Sequence, residues 1–351
     1  MADNIYEQLA KHLDEAPAGA PRSPALMEIL EVLYPGEEAE VALGINAFET
    51  KTAAEWEEAL PDKAGRLADI LDSMAHRGTV FTSQKPGAER RYRLLPSVVG
   101  FAEAPFFSGR DTETTRTLAP LWKRYMNEAF AGEMERGVPL IRVVPIGESL
   151  ADTSEVLPDD ALEKKLDETS FMAVAHCMCR RIGTYIGEGC DRTVENCLHF
   201  GALGRYIVEM GMGREIDKAE ALTILRQATE EGMVHVCDNV QGGLHTICNC
   251  CPCCCAFFRA KLADNYDTVS RSNYVARVDS EACIACGLCE DRCPVMAVAV
   301  DEVAVVDEDV CIGCGVCTPT CGGEDAIRLR VREETAPPPD IAEFVSVRMK
   351  K

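Results

Sequence analysis

The first hundred residues set apolar stripes at helical spacing between short polar breaks. Leu26, Ile29, Leu30 and Leu33 follow Ser23-Pro24, an N-cap with proline at the first helical position. Thr52-Ala53-Ala54-Glu55 has capping-box spacing and opens a second helix with Trp56 and Leu60. Pro61-Asp62 opens a third, with Leu67, Ile70, Leu71 and Met74 as its apolar face and Gly78 as its stop. The period then changes. Thr79-Val80-Phe81-Thr82 and Arg91-Tyr92-Arg93-Leu94-Leu95 flank a Lys85-Pro86-Gly87 turn and predict a hairpin. Further on, residues 118–134 predict a helix, 140–144 a strand ended by Pro145, and 162–166 a short helix. Residues 171–175 read as a buried strand delivering His176 and Cys177 at its end. Asp217 caps a helix that turns Leu222, Leu225 and Ala228 to a core and stops at Gly232. Residues 257–275 read as a connector, and 332–351, with Pro337-Pro338-Pro339, as a flexible tail.

Helices followed by such a hairpin resemble a winged helix, which implies a third helix able to enter the DNA major groove. That helix mixes Lys63 and Arg66 with Asp62, Asp69 and Asp72 in a strongly acidic region. A structural or docking module is therefore expected over residues 1–100, and nucleic acid binding is not.

The 351 residues carry 36 basic and 58 acidic side chains, a formal charge of −22. This argues against general affinity for nucleic acid or anionic membrane. The amino terminus has neither a basic n-region nor an apolar h-region, and no stretch approaches the roughly 18–20 apolar residues of a membrane span. A cytoplasmic protein without membrane insertion is the expectation. All 19 cysteines fall between Cys177 and Cys321. A secreted disulfide scaffold is small and spreads an even number through its length, so these thiols are expected to serve metal.

Cys283-Ile-Ala-Cys286-Gly-Leu-Cys289-Glu-Asp-Arg-Cys293-Pro294 follows the C-x2-C-x2-C-x3-C-P pattern. It recurs as Cys311-Ile-Gly-Cys314-Gly-Val-Cys317-Thr-Pro-Thr-Cys321, and Val278-Asp279 recurs as Val306-Asp307. The segment 276–331 resembles the bacterial two-cluster ferredoxin domain. In such domains the fourth cysteine of each run serves the other cluster. The resemblance implies one 4Fe-4S cluster on Cys283, Cys286, Cys289 and Cys321, and a second on Cys311, Cys314, Cys317 and Cys293. Gly322-Gly323 stands where the first run has Pro294, which is expected to loosen the turn and to raise solvent access or shift the potential at the first cluster.

Eleven cysteines precede this domain: Cys177, Cys179, Cys190, Cys197 and Cys237, then Cys248-Asn-Cys250-Cys251-Pro-Cys253-Cys254-Cys255. The C-x-C-R start, the spaced pair, Gly232 to His235 and Ile247 to Cys255 resemble larger 4Fe-4S dicluster proteins of anaerobic bacteria and archaea. That resemblance brings no established reaction. Spacing offers Cys177, Cys179, Cys190 and Cys197 as one quartet. Cys248, Cys251 and Cys254 stand in C-x2-C-x2-C register with Cys237 as the nearest fourth ligand, which leaves Cys250, Cys253 and Cys255. One or two further iron-sulfur clusters, a zinc site with His176, His199 or His235, and metal-free thiol chemistry are the three readings. Arg180 and Arg181 either offset the charge of a thiolate-ligated cluster or are plain surface residues. No flavin or nicotinamide fingerprint, Walker loop or nucleophile elbow occurs.

The expectation is an α+β chain. A winged-helix-like module precedes a central α/β cysteine-rich domain (101–256), the connector, the bacterial ferredoxin-like domain and the tail. The leading function is iron-sulfur electron transport in anaerobic metabolism, with a redox partner on the acidic face of Glu290, Asp291 and Glu324. The alternatives are an oxidoreductase with its active site in the central block and a redox-sensing winged-helix regulator.

Overall fold

Side-chain caps begin several helices where the sequence calls for them. Ser23 accepts from Leu26 N ahead of the helix Pro24–Leu33, and Thr52 and Glu55 form a reciprocal capping box on Ala53–Glu57. Asp217 caps Lys218–Glu230. The computed structural model describes residues 4–147, 162–241, 244–323, 326–332 and 336–349. The chain is α+β and falls into two compact, interleaved units.

The first unit comprises Met1–Met134, Ala173–Cys190 and Ala202–Glu215. Its helices accompany a small antiparallel sheet in which Arg91–Leu94 lies between Lys51–Thr52 and Val80–Ser83. The helix expected from Pro61 starts later, at Leu67, after a single 3-10 turn, and ends on left-handed Gly78. Trp56 packs under the sheet and donates its indole N–H to Tyr92 O. Basic residues here are tied to acids: Lys63 to Glu40, Glu37 and Asp62, Arg66 to Glu37, and Arg77 to Glu38.

The second unit comprises Glu135–Met172, Asp191–Gly201 and Ile216–Lys351. Five of its strands lie side by side in the order Val269–Ser270, Ile141–Val143, Val234–Asp238, Thr246–Cys250 and Glu195–Phe200. The first pairing is parallel and the rest antiparallel. One face packs on the helix Lys218–Glu230 through a buried polar chain. His235 Nδ1 donates to Asn249 Oδ1, Asn249 Nδ2 donates to Asn196 O, and Thr229 Oγ1 meets His235 Nε2 at 3.0 Å. The other face, with Val234, Val236 and Cys250, belongs to one hydrophobic core with Ile312, Val316 and Leu329 of the region bearing the two cysteine runs.

That region repeats itself in space. Tyr274–Val278 pairs with Ile327–Val331, and Val298–Val300 with Ala304–Val306. Asp279 N donates to Ala326 O and Asp307 N to Ala297 O, so each half is stitched to the other by the same aspartate. Those aspartates then accept from Cys283 N and Cys311 N, which starts each cysteine loop alike.

Two segments differ from expectation. The stretch expected as a connector folds into the helix Ala256–Asp264 and strands Val269–Ser270 and Tyr274–Val278, because its apolar positions find strand partners far along the chain. The stretch expected as a flexible tail forms the helix Ile341–Met349, and fully buried Arg348 donates to Val138 O at 2.8 Å. Glu324 lies outside the described residues.

Candidate metal centres

The eight cysteines of the two runs line two cavities. Cys283, Cys286, Cys289 and Cys321 surround one with Val278, Ala304 and Ile327. Cys293, Cys311, Cys314 and Cys317 surround the other with Ala276, Val298 and Leu329. Each takes three thiols from its own loop and a fourth from the other run. That donor set fits a thiolate-ligated iron-sulfur cluster. Backbone amides also aim at sulfur: Ala297 N donates to Cys293 Sγ at 3.1 Å and Ala304 N to Cys283 Sγ at 3.4 Å. A cluster ligand carries negative charge, and such amides stabilise it.

Exposure separates the two cavities. Cys286 is exposed, and N–H groups of Leu288 and Gly322 hold its thiol below the usual range. Cys311, Cys314 and Cys317 are buried, and burial pushes the Cys314 thiol up to about 12. The Gly322 amide is a donor that proline, found at the matching place after the first run, could not supply.

In the central block the first unit holds Cys177, Cys179 and Cys190. Cys177 is the N-cap residue of the helix Met178–Tyr185. Its hydrogen bond with Cys179 and its burial push its thiol up, against Arg180. Arg181 stacks over Tyr185 and donates to its hydroxyl, so its partner is aromatic. His176 donates from Nδ1 to Phe107 O, a structural contact.

The remaining eight lie in the second unit, and strand register groups them differently from spacing. Val236 faces Cys248 and Val234 faces Cys250, so Cys248 and Cys250 share one face of the sheet. Cys237 faces Ile247 and lies on the opposite face, where its thiol donates to Asp238 O. The pairing of Leu198 with Ile247 brings Cys197 beside Cys248, with Sγ atoms 3.9 Å apart. Cys248 also bonds with Cys250, and Cys250 with Cys255. Along this row Cys197 and Cys250 hold the Cys248 thiol low, while Cys248 and Cys255 drive Cys250 up. The strand ends at Cys250. In the turn that follows, Cys251, Cys253 and Cys254 gather with their sulfurs within 4.8 Å of one another. Arg192 donates to Cys253 Sγ at 3.6 Å, an arginine that spacing did not single out. Cys248 thus parts from Cys251 and Cys254, because a strand end rather than a continuous loop carries them.

His199 is fully buried at Thr246, and burial lowers its pKa to about 4, so its imidazole is neutral. His235 is spent on Asn249 and Thr229. Among the described residues no helix is long and apolar enough to cross a membrane.

No curated protein and no solved structure matches the chain. The Fer4 family, a 4Fe-4S binding domain, matches residues 276–299, which contain the first cysteine run. The match and the cavities agree: this part of the molecule is a ferredoxin-type iron-sulfur domain, and the chain is an iron-sulfur protein.

Proposed function

We propose that the chain is an electron-transfer protein. Its ferredoxin-type region would hold two 4Fe-4S clusters, one on Cys283, Cys286, Cys289 and Cys321, the other on Cys311, Cys314, Cys317 and Cys293. Such clusters, when bound, take up and release single electrons. The observation that carries the reading is the unequal exposure of the two cysteine-lined cavities. One reaches the surface at Cys286, whereas Cys311, Cys314 and Cys317 of the other are buried, and both border the core that holds Cys250 and Cys255. An exposed cluster would exchange electrons with a partner and a covered one would pass them inward, and the difference in exposure supports this reading.

Ile284 and Leu288 are exposed on the cysteine loop of the outward station, and Glu290 and Asp291 add negative charge beside them. An apolar contact with an acidic margin suits a redox partner carrying a basic patch, with association slowed by salt. The winged-helix-like front is read as a docking module, since Lys63, Arg66 and Arg77 are held by acids.

Iron and acid-labile sulfide per chain after anaerobic purification test this reading. At least about eight irons are expected, with interacting reduced-state EPR signals. Fewer than about eight, or loss of iron in neither Cys289→Ser nor Cys317→Ser, overturns it. A second reading, a reductase, rests on exposed Cys253 beside Arg192. It requires the reduced protein's EPR spectrum to change when a small ligand such as cyanide is added.

A further inference from the structure

The turn between the strand Thr246–Cys250 and the helix Ala256–Asp264 holds three thiols that the ferredoxin-type region does not use. Its sequence is Cys251-Pro252-Cys253-Cys254. Pro252 fixes its own φ at about −65°, and Cys255 N closes the turn on Cys251 O at 3.1 Å. The chain doubles back within these few residues. The sulfurs of Cys251, Cys253 and Cys254 thereby come within 4.8 Å of one another, with those of Cys253 and Cys254 3.9 Å apart. Cys251 and Cys254 are buried, Cys253 is exposed, and all three lie in the second unit. We propose that Cys251, Cys253 and Cys254 bind a single zinc ion, a mononuclear centre separate from the clusters of the ferredoxin-type region. The three thiolates supply three corners of a tetrahedron, and a donor from outside the turn supplies the fourth.

Three observations carry the assignment. The first is spacing. A tetrahedral ion with sulfur bonds of about 2.3 Å holds its sulfurs about 3.8 Å apart, which is the closeness seen in the turn. In a four-iron cluster each thiolate takes its own iron, so the ligands stand wider. Among the described residues no three thiols of either cysteine run gather within 4.8 Å. The turn is sized for one atom. The second is covalent. Adjacent residues such as Cys253 and Cys254 have Cα atoms about 3.8 Å apart, short of the roughly 4.4–6.8 Å of ordinary disulfides, so a structural bridge between them is disfavoured. The third is charge. Three thiolates on a divalent ion leave one net negative charge, and Arg192 brings a positive one. Its Nη1 donates to Cys253 Sγ at 3.6 Å, while its Nε is held by Glu231 O at 2.9 Å, at the end of the helix Lys218–Glu230. A cation so placed favours the thiolate and orients the ligand. Zinc is chosen over ferrous iron because a given divalent site binds it more tightly. The ion would pin the corner from which Phe258 enters the core shared with Ile312 and Val316.

The experiment uses the full chain, produced with iron and zinc both supplied and purified without oxygen. Iron, zinc and sulfide per chain are measured together with zinc-edge X-ray absorption. The parent is expected to hold about one zinc, with sulfur neighbours at about 2.3 Å. Cys253→Ser is the first variant, because Cys253 is exposed and its replacement leaves the core alone. Cys254→Ser is the second, and Cys237→Ser, on a face of the central sheet outside the turn, is the control. Both turn variants are expected to lose most of their zinc and to keep iron and sulfide, and the control to keep all three. A parent without zinc, zinc with only nitrogen and oxygen neighbours, zinc retained in both turn variants, loss of iron in its place, or equal loss in Cys237→Ser overturns the proposal. A variant that fails to fold loses iron as well, and the absorption spectrum of the parent then decides alone. Zinc is counted apart from iron, so unchanged iron in Cys289→Ser and Cys317→Ser would sink the carrier reading and leave this site standing.

Discussion

Ile284 and Ile312 hold the same place in two copies of one heptapeptide, yet the first is 63% exposed and the second 1%. Leu288 and Val316, four residues on, repeat the contrast at 43% and 0%. The difference comes from what roofs the second loop. Ser272 N donates to Ile312 O, Ser272 Oγ donates to Gly313 O, and Ile146 N donates to Cys314 O. Gly313 has a φ of 67° and lies so close to that roof that a Cβ would come within 2.2 Å of Tyr274 O. Its counterpart Ala285 adopts a φ of 51° with a Cβ in place. One of the two differences between the heptapeptides, alanine for glycine, thus records a covered loop and an open one. Duplication repeats the cysteine loop, and the surroundings leave one copy open and cover the other.

The comparison can be broken by three pairs of substitutions, from the largest effect down. Ile312→Ala should cost about 2–5 kcal/mol of stability, the range for deleting a buried aliphatic side chain. Ile284→Ala should stay within about 0.5 kcal/mol. Equal urea midpoints for the two would deny the roof any role. Next, Gly313→Ala combines left-handed strain with a backbone clash and should lose about 2–3 kcal/mol. The reverse exchange, Ala285→Gly, meets no roof and should gain up to about 1 kcal/mol in the same measurement.

The smallest effect is electronic. Gly322→Pro would give the second run the proline of the first and remove an N–H that points at Cys286 Sγ. Amide hydrogen bonds to cluster sulfur favour the more negative, reduced state, so their loss should lower the potential of the cluster proposed on Cys286. Gly322→Ala retains the N–H and serves as its control. A potentiometric titration in which both variants shift alike would assign the effect to bulk near Ile284 instead.

The ferredoxin-type region was legible because local spacing alone dictates its geometry. A C-x2-C-x2-C loop is a three-point grip wherever it occurs, and its repeat announces a partner loop. The central block was opaque for the opposite reason. Cys197 and Cys248 meet through strand register across 51 positions, which the spacing of cysteines does not express. One signal was present: Thr246-Ile247-Cys248-Asn249-Cys250 alternates like a strand, which puts Cys248 and Cys250 on one side. Read as a loop, the same letters proposed Cys248 with Cys251 and Cys254. Val269–Ser270 was hidden more deeply, since a two-residue strand has no period to detect. The capped helices of the first unit needed no such distant information and were read from their own residues, apart from the late start at Leu67.

Arg348 reaches back over more than 200 positions to the carbonyls of Arg136 and Val138. The segment it anchors leads directly into Ile141–Val143, one of the inner strands of the five. During synthesis every cysteine emerges before that arginine does. The thiols must therefore pass through a period in which their shelter is unfinished and contacts of long sequence separation are still to close.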